Sequence, residues 1–269
     1  MRHLRPRKAL GQSFLTYEPT AEALVAALGI EPGDTVLEIG PGKGILTRRL
    51  VQQAGRVIAV EIDQRLVEGL RQELAGWHNL EVVHGDFMEY DLRQHQSIKV
   101  IGNLPYYLSS QMLFRLIDFI TSWQRAVLTT QREFAQRVLG TPRTKAYGAL
   151  TVFCDRLVEK RKLLTIPAWQ FKPRPEVVSV SFLLIRRPKP LFELTDEELE
   201  LFKRVVRAGF GQRRKMLVNN LSQEFGLSKE KTIQLMRRAG IPPEARAEML
   251  TAEMFYALTQ VLAQAASSS

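Results

Sequence analysis

The amino-acid sequence predicts an α/β fold built on a seven-stranded, mostly parallel sheet with an antiparallel edge strand, followed by a small all-α C-terminal domain. In the first half of the chain, short apolar strands alternate with amphipathic helices, which is typical of a parallel sheet covered on both faces. A closely joined pair of strands follows, and such a pair favours an antiparallel edge. Beyond residue 190 only helical patterns occur.

The first half of the pattern begins with a helix over 19–28, which has Pro19 in its first turn and Gly29 at its end. Strands are predicted at 35–39, 56–61, 80–84, 98–101 and 125–129. The helices between and after them are predicted from the glycine turn 40–44 to residue 50, and at 64–74, 109–119 and 133–139.

Two more strands, over 163–166 and 177–185, are joined by a proline-rich loop, and a linker follows at 186–190. The sequence therefore predicts two domains, at 1–187 and 191–264. Helices are expected at 195–208, 215–225, 228–238 and 251–263. Thr195 and Glu198 have the spacing of a capping box at the start of the first.

Composition excludes several classes of protein. No run approaches the roughly 18 apolar residues that a membrane helix needs, and the basic N-terminus has no apolar core behind it. Cys154 is the only cysteine, which excludes an internal disulfide and a cysteine-rich metal site. We expect a cytoplasmic, monomeric protein without a membrane partner or a bound metal.

The formal charge of +10 favours a polyanionic partner. Two segments carry basic residues and no acid, 1–8 and 203–215. Either segment alone could be a solvated surface, but together they favour contact with phosphates. The candidate contacts are Arg7, Lys8, Arg207, Arg213, Arg214 and Lys215.

A cofactor site is predicted where the first strands end. Gly40, Gly42 and Gly44 allow a tight turn and a close approach to a ligand, and Glu61 could accept both hydroxyls of a ribose. A nicotinamide dehydrogenase would share both features. The third glycine of its fingerprint would, however, fall at Ile45, which favours a cofactor without a pyrophosphate.

Asp86 follows the third strand and could accept a hydrogen bond from an adenine amine, or equally cap a turn. Glu61 and Asp86 at successive strand ends suit the ribose and adenine of one adenosyl group. The sequence therefore favours S-adenosylmethionine over NAD.

The loop Asn103-Leu104-Pro105-Tyr106 follows the fourth strand. The Asn103 side-chain oxygen and the Leu104 carbonyl could each accept one N–H of an adenine amine and so localise its lone pair. Tyr106 could stack on the base. The alternative is an ordinary turn with an incidental tyrosine.

A paired base cannot reach such a loop, so the target must be flipped out or single-stranded. A second aromatic is then needed against the base, and Phe171 in the proline-rich loop is the candidate. A core phenylalanine beside a rigid loop is the alternative.

These motifs resemble, in order, those of the ribosomal-RNA adenine N6-dimethyltransferase family. The matching segments run from Lys8 to Leu15 and from Glu38 to Gly44, then include Glu61, Asp86, Asn103 to Tyr106, Gln131 to Glu133, Ala146 to Gly148 and Phe171 to Val177. The resemblance implies a Rossmann-like methyltransferase sheet. It also implies that Ser13, Leu15, Gly40, Glu61, Asp86 and Asn103 contact S-adenosylmethionine.

The segments 211–221 and 239–248 resemble the small-subunit branch of the family. That branch dimethylates two adjacent adenosines in a hairpin near the 3′ end of small-subunit rRNA, and its helical domain and basic stretch would grip the rRNA. The alternatives are a large-subunit methylase of the erythromycin-resistance type and a catalytically silent RNA-binding relative. Two residues depart from the family pattern: Ser13 replaces His or Asn, and Val178 replaces a common Asp.

Overall fold

The computed structural model describes residues 12–212 and 215–267. Their backbone divides into two compact units. Unit 1 is drawn from Met1–Ala135 and Glu159–Arg186, and unit 2 from Gln136–Val158 and Arg187–Ser269. The linker predicted at 186–190 lies where the chain last passes from one unit to the other, whereas Gln136–Val158 belongs to unit 2 although it precedes that linker.

Unit 1 is organised around a seven-stranded sheet. A separate antiparallel pair is formed by β1 (Phe14–Leu15) and β8 (Phe171–Lys172). The strands of the main sheet are β2 (Thr35–Ile39), β3 (Arg56–Glu61), β4 (Leu80–His84), β5 (Ile98–Asn103), β6 (Trp123–Gln131), β7 (Val158–Ile166) and β9 (Ser179–Arg186). Their order across the sheet is β4-β3-β2-β5-β6-β9-β7.

The predicted sheet is confirmed. The pairs β2–β3, β3–β4, β2–β5 and β5–β6 are parallel, and β6–β9 is antiparallel. The edge strand β7 is longer than the predicted 163–166, because its first half carries Glu159, Lys160, Arg161 and Lys162 and so has no apolar strand pattern. Charged side chains are common on edge strands, which they protect against further pairing.

Both units contain helices. They are α1 (Glu18–Leu28), α2 (Thr47–Leu50), α3 (Gln64–Glu73), α4 (Ser109–Asp118), α5 (Arg132–Val138), α6 (Ala149–Leu157), α7 (Asp196–Gly211), α8 (Leu217–Phe225), α9 (Lys229–Arg238) and α10 (Ala252–Ser267). Gly29 ends α1 in the left-handed region, at a φ of 63°, and the capping box of Thr195 and Glu198 forms at α7. Both features confirm the sequence signals.

The sequence did not predict α6, because its apolar residues follow a loop rather than a strand. Its segment packs within unit 2, where the buried Tyr147 hydroxyl donates to the Leu250 carbonyl at 2.8 Å. Fully buried side chains such as Val152, Phe202 and Phe255 form the core of that unit. In the described part of the chain, no helix is both long and apolar enough to cross a membrane.

Candidate active site

A pocket opens in unit 1 at the switch point of the parallel sheet. The strand β2 has β3 on one side and β5 on the other, so the strand order changes direction across the sheet at β2. Ligands of open α/β sheets bind at this place, beyond the carboxyl ends of the strands. The predicted cofactor and target residues all line the pocket, namely Ser13, Leu15, Gly40, Gly42, Glu61, Asp86, Asn103, Leu104, Tyr106 and Phe171.

The glycine turn after β2 forms one wall. Gly40, Gly42 and Gly44 have φ values of 64°, 57° and 77°, all in the left-handed region that favours glycine. A Cβ atom on Gly42 would lie only 2.7 Å from a ring carbon of Phe14. The turn therefore requires glycine both for its backbone conformation and for its contact with β1.

Glu61 lies at the end of β3 and is buried. Its Oε2 accepts the backbone N–H of Gly42 at 3.0 Å, and its Oε1 accepts that of Asp63 at 3.0 Å. Burial raises the pKa of Glu61, and the two backbone N–H groups partly offset that rise. Because each carboxylate oxygen has a further lone pair, both can still accept a hydroxyl from the pocket.

A second carboxyl group, Glu38, lines the pocket but was not predicted as a site residue. It lies within β2, accepts the Thr47 hydroxyl at 2.7 Å, and is 1% exposed. Burial raises the pKa of Glu38 to about 8. The signal in the sequence is an acid inside an otherwise apolar buried strand, and strongly perturbed acids of this kind occur at functional sites.

Asp86 follows β4 and is partly buried. Its Oδ1 accepts the Met88 backbone N–H at 2.8 Å. Asp86 therefore caps a turn, which is one of the two predicted roles. Its Oδ2 has no hydrogen-bond partner in the described part of the chain, and the residue lines the pocket. The predicted contact with an adenine amine stays a prediction.

The segment around Ser13 joins two sides of the pocket. The Ser13 hydroxyl donates to the Pro173 carbonyl at 2.9 Å, and the Ser13 carbonyl accepts a hydrogen bond from Asn103 Nδ2 at 2.9 Å. Two residues further on, Leu15 pairs with Phe171 between β1 and β8. The Ser13 hydroxyl proton is thus directed at the proline-rich loop, and its predicted contact with the cofactor stays a prediction.

The Asn103 amide has a defined orientation. A carbonyl such as that of Ser13 can only accept, so the NH₂ end of the amide must face it. The other end, Oδ1, is buried and has no hydrogen-bond partner among the described residues. The next residue, Leu104, donates its N–H to the Thr129 carbonyl at 3.0 Å, while its own carbonyl accepts no hydrogen bond from residues in the described ranges.

The two predicted aromatic residues differ in their surroundings. The Tyr106 hydroxyl is hydrogen bonded to Ser179 Oγ at 2.8 Å, which holds its ring at the pocket wall, and burial raises the pKa of Tyr106. Phe171 is only 3% exposed and packs in an apolar cluster with Leu24 and Ile166. This placement favours the core interpretation of Phe171, although one side of the ring borders the pocket.

The predicted basic contacts fall in two groups. Arg7, Lys8, Arg213 and Arg214 lie outside the described residues. Arg207 and Lys215 are exposed in unit 2. Across residues 12–212 and 215–267, no cluster of three or more His, Cys, Asp or Glu side chains could hold a metal ion.

Comparison with known proteins gives a consistent result. The family model described as ribosomal RNA adenine dimethylase matches residues 3–264. A ribosomal RNA small subunit methyltransferase A from Moorella thermoacetica is 38% identical over 271 residues, which cover 96% of this chain and 93% of the relative. One from Bacillus mycoides is also 38% identical, over 95% of this chain and 91% of its own.

Two solved structures are similar over the same length. A dimethyladenosine transferase from Plasmodium falciparum has a TM-score of 0.78 and 26% identity, with 91% of this chain and 95% of that chain covered. The 23S rRNA methyltransferase ErmE has a TM-score of 0.73 and 30% identity, with 93% and 100% covered. The family match spans nearly the whole sequence, and the chain belongs to the ribosomal RNA adenine dimethylase family.

Proposed function

We propose that this chain transfers methyl groups from S-adenosylmethionine to the N6 amines of two adjacent adenosines near the 3′ end of small-subunit rRNA, giving N6,N6-dimethyladenosine during assembly of the subunit. The observation that carries the proposal is the buried, unpartnered Oδ1 of Asn103 in the pocket. A buried acceptor without a hydrogen-bond partner costs free energy, and a ligand that donates a hydrogen bond to it would remove that cost.

An adenine amine meets that requirement. Its two N–H groups would be accepted by Asn103 Oδ1 and the Leu104 carbonyl, which draws the nitrogen lone pair out of conjugation with the ring. No general base is needed, since the proton becomes acidic once the nitrogen carries the new methyl group. Positioning of this kind can supply roughly 7–11 kcal/mol of the barrier, and the oriented acceptor dipoles would add to it.

The residues around the glycine turn fit an adenosyl methyl donor. Glu61 would accept the ribose hydroxyls, Asp86 would accept the adenine amine, and the turn at Gly42 leaves no room for a side chain on its Phe14 side. When bound, S-adenosylmethionine supplies an electrophilic sulfonium methyl group. We further propose that the chain works in the cytoplasm, as expected for an enzyme that acts during assembly of the subunit. We also propose that it is a monomer, because one chain supplies every residue of the predicted set.

The choice of the small subunit rests on the relatives. The chain is 38% identical to two small subunit methyltransferases over at least 95% of its length, and 30% identical to ErmE, which is named as a 23S rRNA methyltransferase. A large-subunit methylase is therefore the second candidate.

The test is methyl transfer to separated substrates. Purified protein and labelled S-adenosylmethionine are incubated with small-subunit particles from a strain that lacks this methylation, and with large-subunit rRNA. Mass spectrometry of the digested rRNAs should find N6,N6-dimethyladenosine in the small-subunit RNA alone. Methylation of the large-subunit RNA alone would contradict the proposal and support a large-subunit methylase.

Calorimetry distinguishes the proposed enzyme from a catalytically silent RNA-binding relative and from a nicotinamide dehydrogenase. The proposed enzyme binds S-adenosylmethionine and does not bind NAD. Absence of S-adenosylmethionine binding would favour the catalytically silent relative over the proposed enzyme.

A further inference from the structure

Two aromatic side chains are exposed beside the pocket. Tyr17 is 39% exposed and Trp169 is 57% exposed, and their ring centroids lie 5.1 Å apart in an edge-to-face arrangement. Tryptophan is among the most costly side chains to leave in water, because of its large apolar area. An exposed aromatic pair of this size is therefore a candidate contact surface.

The pair is held by a rigid frame. The Gln170 carbonyl accepts both the backbone N–H of Thr16 at 2.8 Å and its hydroxyl at 2.9 Å. The buried Gln170 side chain accepts the Thr20 hydroxyl at 2.7 Å. Each aromatic residue is thus next in sequence to a residue fixed by these bonds, so little conformational entropy remains to be lost on binding.

The two aromatic residues are also close in sequence to strands that border the proposed target site. Leu15 and Phe171 are directly paired and line the pocket. Tyr17 lies two residues after Leu15, and Trp169 lies two residues before Phe171 in a 3-10 helical turn, Ala168–Gln170. Two residues span at most about 7 Å of chain. Nucleotides next to a base in the pocket would be within reach of such a surface.

The segment that follows Trp169 carries two exposed cations. Lys172 and Arg174 are exposed, and neither forms an ion pair with a carboxylate in the described part of the chain. Of the neighbouring acids, Glu18 is paired with Arg49, and Glu176 is exposed. Exposed aromatic rings flanked by unpaired cations suit stacked bases and their phosphates.

We propose that Trp169, supported edge-on by Tyr17, stacks on an unpaired base of the RNA substrate next to the target adenine, while Lys172 and Arg174 contact the adjoining phosphates. The proposal rests on the proposed function and extends it to a second recognition point in the catalytic unit. Splayed-out bases of RNA are commonly recognised by stacking on aromatic side chains.

Trp169→Ala tests the proposal, with Trp77→Ala as the matched control. Trp77 is 39% exposed and lies in the same unit. It does not line the pocket, and it takes no part in the hydrogen bonds of Gln170 with Thr16 and Thr20. We expect Trp169→Ala to weaken binding of the small-subunit RNA roughly 5- to 100-fold, as seen for loss of one base stack, with the effect mainly in KM. Trp169→Phe should retain most of the RNA affinity of wild type, and Trp77→Ala should leave that affinity unchanged.

The readouts separate this proposal from the proposed function. Calorimetry should find the same S-adenosylmethionine affinity in wild type, Trp169→Ala and Trp77→Ala. An RNA with one abasic nucleotide beside the target adenosine should bind wild type more weakly, yet make no further difference to Trp169→Ala. If wild type methylates the RNA but both alanine variants have its KM, the stacking contact is wrong while the activity stands, and the pair would instead be assigned to a protein contact.

Discussion

Replacing Asn103 by alanine should separate catalysis from stability. The substitution removes Oδ1, which has no hydrogen-bond partner among the described residues, and Nδ2, which donates to the Ser13 carbonyl. The fold therefore loses one protein hydrogen bond, and the reaction loses one of its two acceptors.

The two losses differ in size. A single neutral hydrogen bond contributes about 1 kcal/mol to stability, which corresponds to a decrease in Tm of roughly 2–4 °C for a domain of 150–250 residues. Removal of one preorganised partner of a transition-state charge lowers kcat by about 10²–10³-fold. We therefore expect a folded protein that binds S-adenosylmethionine but transfers methyl groups at least 100-fold more slowly.

The assay is single-turnover methyl transfer to unmethylated small-subunit particles, at saturating concentrations of both substrates, beside calorimetric measurement of Tm. Asn103→Asp is the matched variant: it keeps Oδ1 but turns a carboxylate oxygen towards the Ser13 carbonyl in place of the NH₂ group. Its activity should be low at neutral pH and rise as the pH falls, because the protonated acid can donate to Ser13 again. Transfer by Asn103→Ala within tenfold of wild type would refute the assignment of Oδ1 as an acceptor for the target amine.

Two further substitutions test the surroundings of the pocket. Ser13→Ala removes the hydrogen bond to Pro173 and the oxygen that could still accept one from the cofactor, so we expect a lower affinity for S-adenosylmethionine in calorimetry; an unchanged affinity would remove Ser13 from the predicted cofactor contacts. Glu38→Gln should flatten the dependence of stability on pH. The pKa of Glu38 is raised from 4.5 to about 8 in the folded state, so the folded protein binds more protons than the unfolded one between these values, and wild-type stability falls as the pH rises through that window. Thermal unfolding from pH 5 to 8 measures the difference, and parallel curves for wild type and variant would contradict it.

The order of the main elements could be predicted because most helices bury one face with a helical period, whereas the inner parallel strands are buried on both faces. The five parallel strands are short apolar runs, and the glycine at the end of α1 marks a change in backbone conformation. The first half of β7 could not be predicted in this way. Its four consecutive charged residues give it no apolar pattern, and only pairing with β9 makes the segment a strand.

The location of the site could also be predicted, since the carboxyl ends of parallel strands lie along one edge of the sheet. The partners of individual side chains could not. Ser13 is 160 positions from Pro173 in the sequence, and no local pattern indicates that its hydroxyl is directed there. Phe171 has the residue type expected of a stacking aromatic, but its burial depends on packing against α1 and β7.

The choice of asparagine at position 103 follows from the two demands on its side chain. On one side the Ser13 carbonyl needs a donor, and on the other side the adenine amine that we propose as the target would need an acceptor. A planar amide meets both demands with one neutral group, and its donor end cannot turn away without leaving the Ser13 carbonyl unpaired. Aspartate supplies only acceptors at neutral pH, alanine supplies neither, and glutamine carries the amide one methylene further from the strand. The hydrogen bond to Ser13 therefore does more than hold the segment around Ser13 in place: it leaves Oδ1 as the end of the amide that is free to accept.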